Sequence, residues 1–314
     1  MLGLTFLLFK RPDNTESRAN VIFNFQFVKE AYTPYTKMNA VFAVEENPFI
    51  PLSLPYEYSE VFLNVGGCNV HHGIIDSFKI VTEHGVKKGI ITSRGFTSLL
   101  LDNQLEPGLY MNMSIDKLID EYYHIPYVTH EKGETENYIY IKRGTSMWDA
   151  VVSLAYKLYN TYPYINGQNK IMLMAGTPKK ELVLNDDSLL NYGTEVNTRR
   201  FVSDFHMEDI DGIYGNFDFH NLQAEEKNIV RNKYFDFDRR FFYEPEKASQ
   251  FRNDIAMRSW KRTFCTYIGY NNEDLYDTVS FNGIVNRRIK SIKITGDRKG
   301  IQTELSVYDD GFMQ

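Results

Sequence analysis

The spacing of apolar residues changes twice along this chain, and this change constrains the possible folds more than any other feature. From residue 20 to 95 apolar and polar side chains alternate, which is the pattern of half-buried strands. The first clear run places alternate apolar residues on one strand face: Val21, Phe23, Phe25 and Phe27. Residues 96–200 mix helical spacing with short strands, and residues 201–314 are again rich in strands. The chain therefore reads as a β-rich part, an α+β part and a second β-rich part.

We predict an α+β, mainly β protein in which two small antiparallel β-barrel domains flank an α+β insert. The first barrel, with an N-terminal arm, takes residues 1–95, the insert takes residues 96–200, and the second barrel takes residues 201–314. Turns between strands are predicted at three glycine-containing sites: Gly66-Gly67, His84-Gly85 and Gly296–Gly300. An aromatic content of 15% suits strands and broad contact surfaces.

Three helices are predicted from caps and prolines. Ser114 is a candidate N-cap for a helix that ends before Pro126. Thr145 is a candidate N-cap for a longer helix that Pro163 ends, and its apolar face follows amphipathic spacing: Trp148, Val151, Val152, Ala155, Leu158, Tyr159 and Tyr162. A third helix, at about 245–262, is an insertion in the second barrel, with Pro245 in its first turn.

Charge and cysteine usage exclude several classes of protein. Acidic residues outnumber basic ones, 41 against 35, which gives a formal net charge of −6 and argues against general nucleic-acid or anionic-membrane binding. Cys68 and Cys265 can form at most one bridge, and two reduced thiols are the simpler interpretation. No apolar run approaches the roughly 18 residues of a membrane span. The apolar start precedes Lys10 and Arg11 rather than a cleavage site, so we expect neither a signal peptide nor membrane insertion.

Two clusters of ionisable residues come closest to a metal or catalytic site. His71 and His72 are neighbours on a strand and point to opposite faces, which favours a polar turn or interface pair over a shared metal ion. The densest cluster combines acids with a histidine: Asp204, His206, Glu208, Asp209 and Asp211. Asp204, His206 and Glu208 share one strand face, where they could bind a cation or form a general-acid pair. A solvated strand face is the simpler interpretation.

Catalytic signatures are missing elsewhere in the sequence. The chain has no nucleophile elbow, no Walker loop and no dinucleotide-binding glycine motif, and neither cysteine lies in a local catalytic signature. Asp236 and Asp238 alternate with aromatic residues between Tyr234 and Phe242, which indicates a strand or an aromatic contact surface. Their spacing alone also allows a glycosidase carboxylate pair.

One local concentration of basic residues stands out, near the C-terminal end of the chain: Arg287, Arg288, Lys290 and Lys293. Arg288 and Lys290 share a strand face, which predicts a charged exterior strand, with a surface for an anionic partner as the alternative. None of these groups makes a positive case for an enzyme. We therefore predict no enzymatic activity, no cofactor, and no catalytic, cofactor-binding or metal-binding residues.

Two longer stretches carry a family resemblance. The first, Tyr56–Gly108, contains YSEVFLNV at 58–65, HHGIID at 71–76 and SRGFTSLLLDNQ at 93–104. The second, Tyr138–Leu173, contains IKRGTSMWDAV at 141–151. These stretches resemble the first barrel and the following α+β domain of baseplate hub proteins from contractile phage tails and phage-tail-like bacteriocins. The helix near residues 245–262 and the strands after it resemble the hub's second barrel.

The resemblance implies a mechanical role without catalysis. A hub is similar to a homotrimeric ring whose two barrels per chain join the hexameric tail tube to the trimeric central spike, and such rings need head-to-tail contacts. It further implies contacts with tape measure and other baseplate proteins. The location it implies is the baseplate of a virion or tail-like particle assembled in the bacterial cytoplasm. The resemblance is equally compatible with an infectious phage, a bacteriocin and an injection system.

The second stretch has a rival interpretation. Residues 138–174 also resemble a LysM peptidoglycan-binding repeat, which would make the chain a glycan-binding module or an accessory of a cell-wall hydrolase. Only one copy is present and its flanks are not linkers. In hubs such a LysM-like piece can serve as a structural domain. A third class, a hydrolase that uses the Asp204–Asp211 cluster, has the least support.

Overall fold

The computed structural model describes residues 5–44, 55–122 and 124–309 and is mainly β, as predicted. Residues 1–4 of the predicted arm and 310–314 of the predicted second barrel lie outside the described residues. The described residues of the N-terminal part form seven strands and a 3-10 turn at Pro55–Glu57: β1 (Phe6–Lys10), β2 (Glu16–Ala19), β3 (Ile22–Glu30), β4 (Lys37–Ala43), β5 (Glu60–Val65), β6 (Cys68–Glu83) and β7 (Val86–Gly95).

Helices alternate with short strands in the middle of the chain: α1 (Leu99–Asp102), β8 (Gly108–Met113), β9 (Thr129–His130), β10 (Glu136–Ile141), α2 (Met147–Tyr159), β11 (Tyr164–Ile165), β12 (Lys170–Met172), β13 (Glu181–Val183) and β14 (Leu189–Val196). The last part returns to longer strands: β15 (Asp204–Met207), β16 (Phe217–His220), α3 (Leu222–Glu225), β17 (Asn232–Phe235), α4 (Glu246–Met257), β18 (Lys261–Ile268), β19 (Thr278–Phe281), β20 (Ile284–Asp297) and β21 (Gly300–Val307).

Strands from both ends of the chain form one 13-stranded sheet. Its main path runs β14-β18-β21-β20-β3-β4-β7-β6-β5-β1-β2; off this path, β19 pairs with β20 and β13 pairs with β19. The halves join where β3 pairs with β20, with Phe25 opposite Gly296 and Glu30 opposite Ser291. Among the described strands this path is open, so the two predicted barrels are halves of one sheet and neither closes by itself. The alternation of apolar and polar residues identifies a strand but not the neighbouring strand with which it pairs. The pairing of β3 with β20 could therefore not be predicted from the sequence.

The predicted turns are confirmed, but two segments lie outside the part of the fold that was predicted for them. Gly66-Gly67 joins β5 to β6, and His84-Gly85 joins β6 to β7, with positive φ at each of these four residues. Strand β14 comes from the predicted insert, yet it pairs with β18 in the large sheet. Residues 204–257, predicted within the second barrel, instead form a separate sheet, β16-β15-β17, together with α3 and α4.

The predicted helices form, with corrected ends. Ser146, rather than Thr145, caps α2, because its hydroxyl accepts from the Asp149 N–H at 3.1 Å while Asp149 accepts from the Ser146 N–H at 3.2 Å. Helix α2 ends at Tyr159, where Asn160 turns left-handed. Helix α4 ends at Met257 rather than near residue 262, because Lys261 already pairs in β18.

The insert has its own hydrophobic core around α2. Its largest buried side chain is Trp148, which packs with residues of β10, β12 and the turn after β8. A second cluster connects α2 to the segment 204–257, where Tyr156 lies against Phe251 with ring centroids 4.8 Å apart. Within the described residues, no helix has both the length and the apolar character needed to cross a membrane.

Candidate functional site

His71 and His72 lie on opposite faces of β6, as predicted. The His71 ring is buried between the hydroxyls of Thr36 and Ser93, each at 2.7 Å. Burial, with a smaller contribution from the charge of His72, lowers the pKa of His71 to about 3, so this ring is neutral. His72 instead bonds to Glu60 at 2.8 Å. The two rings therefore have separate, internal partners.

The acid and histidine cluster forms ion pairs across two strands. Asp204 bonds to His220 Nδ1 at 2.7 Å, and His206 Nδ1 lies 3.0 Å from Asp218. The hydrogen bonds that the His220 ring makes to Asp204 and to Glu225 raise the pKa of His220, and the bond with His220 holds the pKa of Asp204 below its usual value. The partners come from β16 and α3, not from the sequence cluster itself. Asp204 and His206 share a face as predicted, and each is paired with the residue directly opposite it on β16.

The rest of that acidic cluster shapes a turn. Asp209 Oδ1 accepts from the N–H groups of Asp211 and Ile213, both at 2.9 Å, and its other oxygen accepts from Asn216. These bonds lower the pKa of Asp209. Glu208 lies beyond the end of β15, where it accepts from the Phe237 N–H at 3.3 Å. The five residues are therefore divided between a strand face and a turn.

Two of the predicted basic residues, Arg288 and Lys290, also have internal partners. Arg288 donates to the Gly176 carbonyl at 2.6 Å, and Lys290 donates to the Arg258 carbonyl. Arg288 and Lys290 of the predicted basic face therefore bond to backbone carbonyls within the chain. Both cysteines are free thiols, and burial raises the pKa of Cys265 to about 12.

A large groove separates the insert from the segment 204–257. One wall is the two-stranded sheet of β8 and β10, and the other is built from the end of β15, from β17 and from residues 236–243. Its volume is about 1580 Å³. Exposed apolar side chains line both walls: Leu109, Met111, Ile210, Tyr234, Phe242 and Tyr243. An apolar lining of this size indicates an interaction surface.

Tyr138 contacts join the two walls of the groove, and ion pairs stabilise the wall that belongs to the segment 204–257. The Tyr138 hydroxyl donates to the Arg240 carbonyl at 3.3 Å, and the Tyr138 and Tyr243 rings meet edge-on at 5.5 Å. Asp238 lies 2.6 Å from Arg240 and 3.3 Å from Arg252. Burial by itself would raise the pKa of Asp238, but the hydrogen bond and charge of Arg240, together with Arg252, lower it overall. Asp238 is therefore a structural ion-pair partner.

The charges of the groove balance. Five acidic side chains line it: Asp149, Glu208, Asp209, Asp236 and Asp238. Five basic side chains line it as well: Lys142, Arg143, Arg239, Arg240 and Arg252. Such a surface fits a mixed aromatic and polar protein partner better than a polyanion. The sequence signalled one part of it, the aromatic run at 234–242, but missed Leu109 and Met111, because nothing local to β8 shows that its outer face borders a groove.

Comparison with solved structures places the whole chain among phage tail proteins by fold. The chain superposes on a tail protein from Neisseria meningitidis with a TM-score of 0.72 and 15% identity, covering 98% of each chain. A 43 kDa tail protein of prophage MuSo2 from Shewanella oneidensis gives a TM-score of 0.69 and 14% identity, covering 96% of this chain and 97% of that one.

A secretion-system protein shares the fold more distantly. The Escherichia coli protein c3393 is described as a type VI secretion component similar in structure to the T4 tail proteins gp27 and gp5. It gives a TM-score of 0.57 and 9% identity, covering 94% of this chain and 76% of that one. No protein-family model and no curated protein matches the sequence. The predicted resemblance to tail hub proteins is thus confirmed in the fold.

Proposed function

We propose that this protein is the structural hub of a contractile phage tail or tail-like particle, a homotrimeric ring between the hexameric tail tube and the trimeric central spike. The observation that carries the proposal is the full-length match to two tail proteins, each covered over almost its entire length. The Escherichia coli secretion protein that shares this fold is described as similar in structure to the T4 tail proteins gp27 and gp5, and this supports the proposed contact with the spike. The proposed location is the baseplate of the particle, after assembly in the bacterial cytoplasm.

The architecture suits a ring built by rigid contacts. Each chain contributes two sets of strands joined through β3 and β20, so three copies supply a pseudo-sixfold arrangement that matches a hexameric tube on one side. A continuous sheet makes the two sets one rigid unit. The aromatic groove adds a surface for a further baseplate protein, and tape measure protein is among the proposed partners. The proposed role needs no catalysis.

The peptidoglycan-binding alternative has weaker support. A module that folds on its own would complete its sheet with its own strands. Here β11 and β12 pair with each other, but β12 also pairs with β9 and β10 pairs with β8, and both β8 and β9 lie outside residues 138–174. Residues 142–145 of the LysM-like stretch line the groove between the insert and the segment 204–257. This segment is therefore built into the protein and is best explained as a structural domain.

Electron cryo-microscopy of the purified chain, with its mass from light scattering, tests the proposal. We expect a trimer with a threefold ring of six lobes around an open lumen. Co-expression with the tube and spike proteins of the same particle should give a complex that copurifies. A chain that is monomeric at every concentration, fails to join tube or spike, and sediments with peptidoglycan would overturn the hub role. If substitutions in residues 144–148 abolished that sedimentation, the LysM-like stretch would be assigned as a peptidoglycan-binding site.

A further inference from the structure

Three potential metal ligands converge in the insert, away from the aromatic groove. Asp116, Asp120 and His130 each offer one ligand atom, and these atoms all lie within 4.8 Å of one another. The ligands of a tetrahedral zinc ion lie roughly 3.4 Å apart, because each is about 2.1 Å from the metal. Small side-chain rotations are therefore enough to bring the three atoms around one ion.

The three residues are presented by elements that are anchored in the insert core. Asp116 directly precedes the turn Lys117–Glu121, and Asp120 lies within it. This turn is π-helical, a geometry that is frequent at functional sites. Beneath it, Leu118 and Ile119 are buried. His130 lies in β9, which pairs with β12. The ligands therefore come from two segments whose relative position is set by packing.

The His130 ring has the orientation of a metal-bound imidazole. Its Nδ1 lies 3.0 Å from the Glu131 carbonyl, which can only accept, so Nδ1 carries a hydrogen and donates it. Its Nε2 faces the two Asp120 oxygens at 3.2 and 3.3 Å. A metal ion between Nε2 and Asp120 would be coordinated by both groups. Metal-bound histidines have the same arrangement, with the other ring nitrogen donating to a carbonyl.

Neighbouring lysines do not neutralise this pair of carboxylates. Within residues 5–44, 55–122 and 124–309, no lysine or arginine is ion-paired with Asp116 or Asp120. The adjacent Lys117 points its ammonium group to the Asn112 carbonyl at 3.0 Å. His130 is thus the side chain that contacts Asp120, and Asp116 keeps a carboxylate that can coordinate an ion.

We propose that Asp116, Asp120 and His130 bind a divalent first-row transition-metal ion, with Zn²⁺ as its probe. An imidazole ligand selects zinc-like ions over Mg²⁺ and Ca²⁺, which prefer all-oxygen sites. The bound ion connects the π-helical turn to β9 and so stabilises the insert. None of the three residues lines the groove, and the proposal is independent of the hub role.

Isothermal titration of the chelator-treated full-length chain with ZnCl₂ tests this site. We expect saturable binding of one ion per chain and a higher thermal midpoint in its presence. Asp116→Asn removes a ligand but leaves the ion pair between His130 and Asp120, and His130→Ala removes the nitrogen ligand. Each should weaken Zn²⁺ binding by about tenfold or more. Mg²⁺ and Ca²⁺ should bind far more weakly than Zn²⁺.

His220→Ala is the matched control, because His220 also lies between two carboxylates but outside the proposed site. It should bind Zn²⁺ as the unmodified chain does. Circular dichroism establishes that each variant is folded, and Asp116→Asn answers the question if His130→Ala does not fold. Absence of saturable Zn²⁺ binding, or equal affinity in both site variants and the unmodified chain, would overturn the proposal. Equally tight binding of Ca²⁺ would overturn the assignment to transition metals.

Discussion

Gly296 lies in the strand pair that joins the two halves of the sheet, and the space for a side chain there is filled by an aromatic ring. A Cβ at Gly296 would lie 2.0 Å from Cε1 of Phe25 and 2.7 Å from its Cδ1 and Cζ. Phe25 is opposite Gly296 in the register and is only 3% exposed. Carbon atoms pack at about 3.5–4.0 Å. A methyl group at this position must therefore displace the ring by more than about 1 Å within a packed core.

We expect Gly296→Ala to lower the free energy of unfolding by about 1–3 kcal/mol, the usual effect of overpacking. Urea unfolding followed by circular dichroism measures this change. Gly108→Ala is the matched control: Gly108 also lies in a strand, its Cβ would meet no atom within 4 Å, and its φ is not positive. Its effect should stay within about 0.5 kcal/mol.

The Phe25→Ala background isolates the clash. Phe25→Ala alone should cost about 3–5 kcal/mol, because it removes a buried ring. With the ring gone, adding Gly296→Ala should have little further effect, which gives a coupling energy of about 1–3 kcal/mol. The reasoning is refuted if Gly296→Ala is as stable as Gly108→Ala. It is equally refuted if Gly296→Ala has the same effect with and without the ring.

Three further predictions follow from the helix cap, the buried histidine and the groove. Ser146→Ala should lower the free energy of unfolding in urea by about 1 kcal/mol through loss of the cap, whereas Thr145→Ala should have little effect. The pKa of His71, about 3 in the folded chain against 6.5, means that the unfolded chain binds more protons between these values. Stability should therefore fall as the pH drops from about 6.5 to about 3, and His71→Gln should flatten that slope in urea titrations. Tyr243→Ala should reduce copurification with baseplate partners strongly and lower the unfolding midpoint only slightly, because the exposed Tyr243 ring contacts Tyr138 only edge-on, whereas Tyr56→Ala, at an equally exposed site outside the groove, should leave copurification unchanged.

Local sequence features predicted the elements of this protein well. The Gly66-Gly67 turn between β5 and β6 and the His84-Gly85 turn between β6 and β7 form where the pattern indicated. Each depends on residues that are close in sequence, so a local pattern is enough. The error at the start of α2 was a single residue: Thr145 and Ser146 are both good caps, and Asp149, three residues after Ser146, completes the capping box.

The candidate sites were harder to predict from sequence, because their partners come from other segments. Asp204 and His206 share a face as expected, but their ion-pair partners are on β16 and α3. The aromatic run at 234–242 predicted a contact surface, whereas its opposite wall, with Leu109 and Met111, follows from the packing of the insert. The convergence of Asp116 with His130 has no signature in their spacing.

The sequence by itself determined the β-rich character, the position of the helical insert, the turns and the absence of a recognisable catalytic motif, because side-chain periodicity and backbone preferences act over a few residues. Only the tertiary structure decided that β3 pairs with β20 to make one sheet from both ends of the chain. It also decided which faces border the groove. The physical reason is that alternation leaves every strand with two equivalent edges. The choice of neighbour depends on contacts such as Phe25 over Gly296, which form only when distant segments meet.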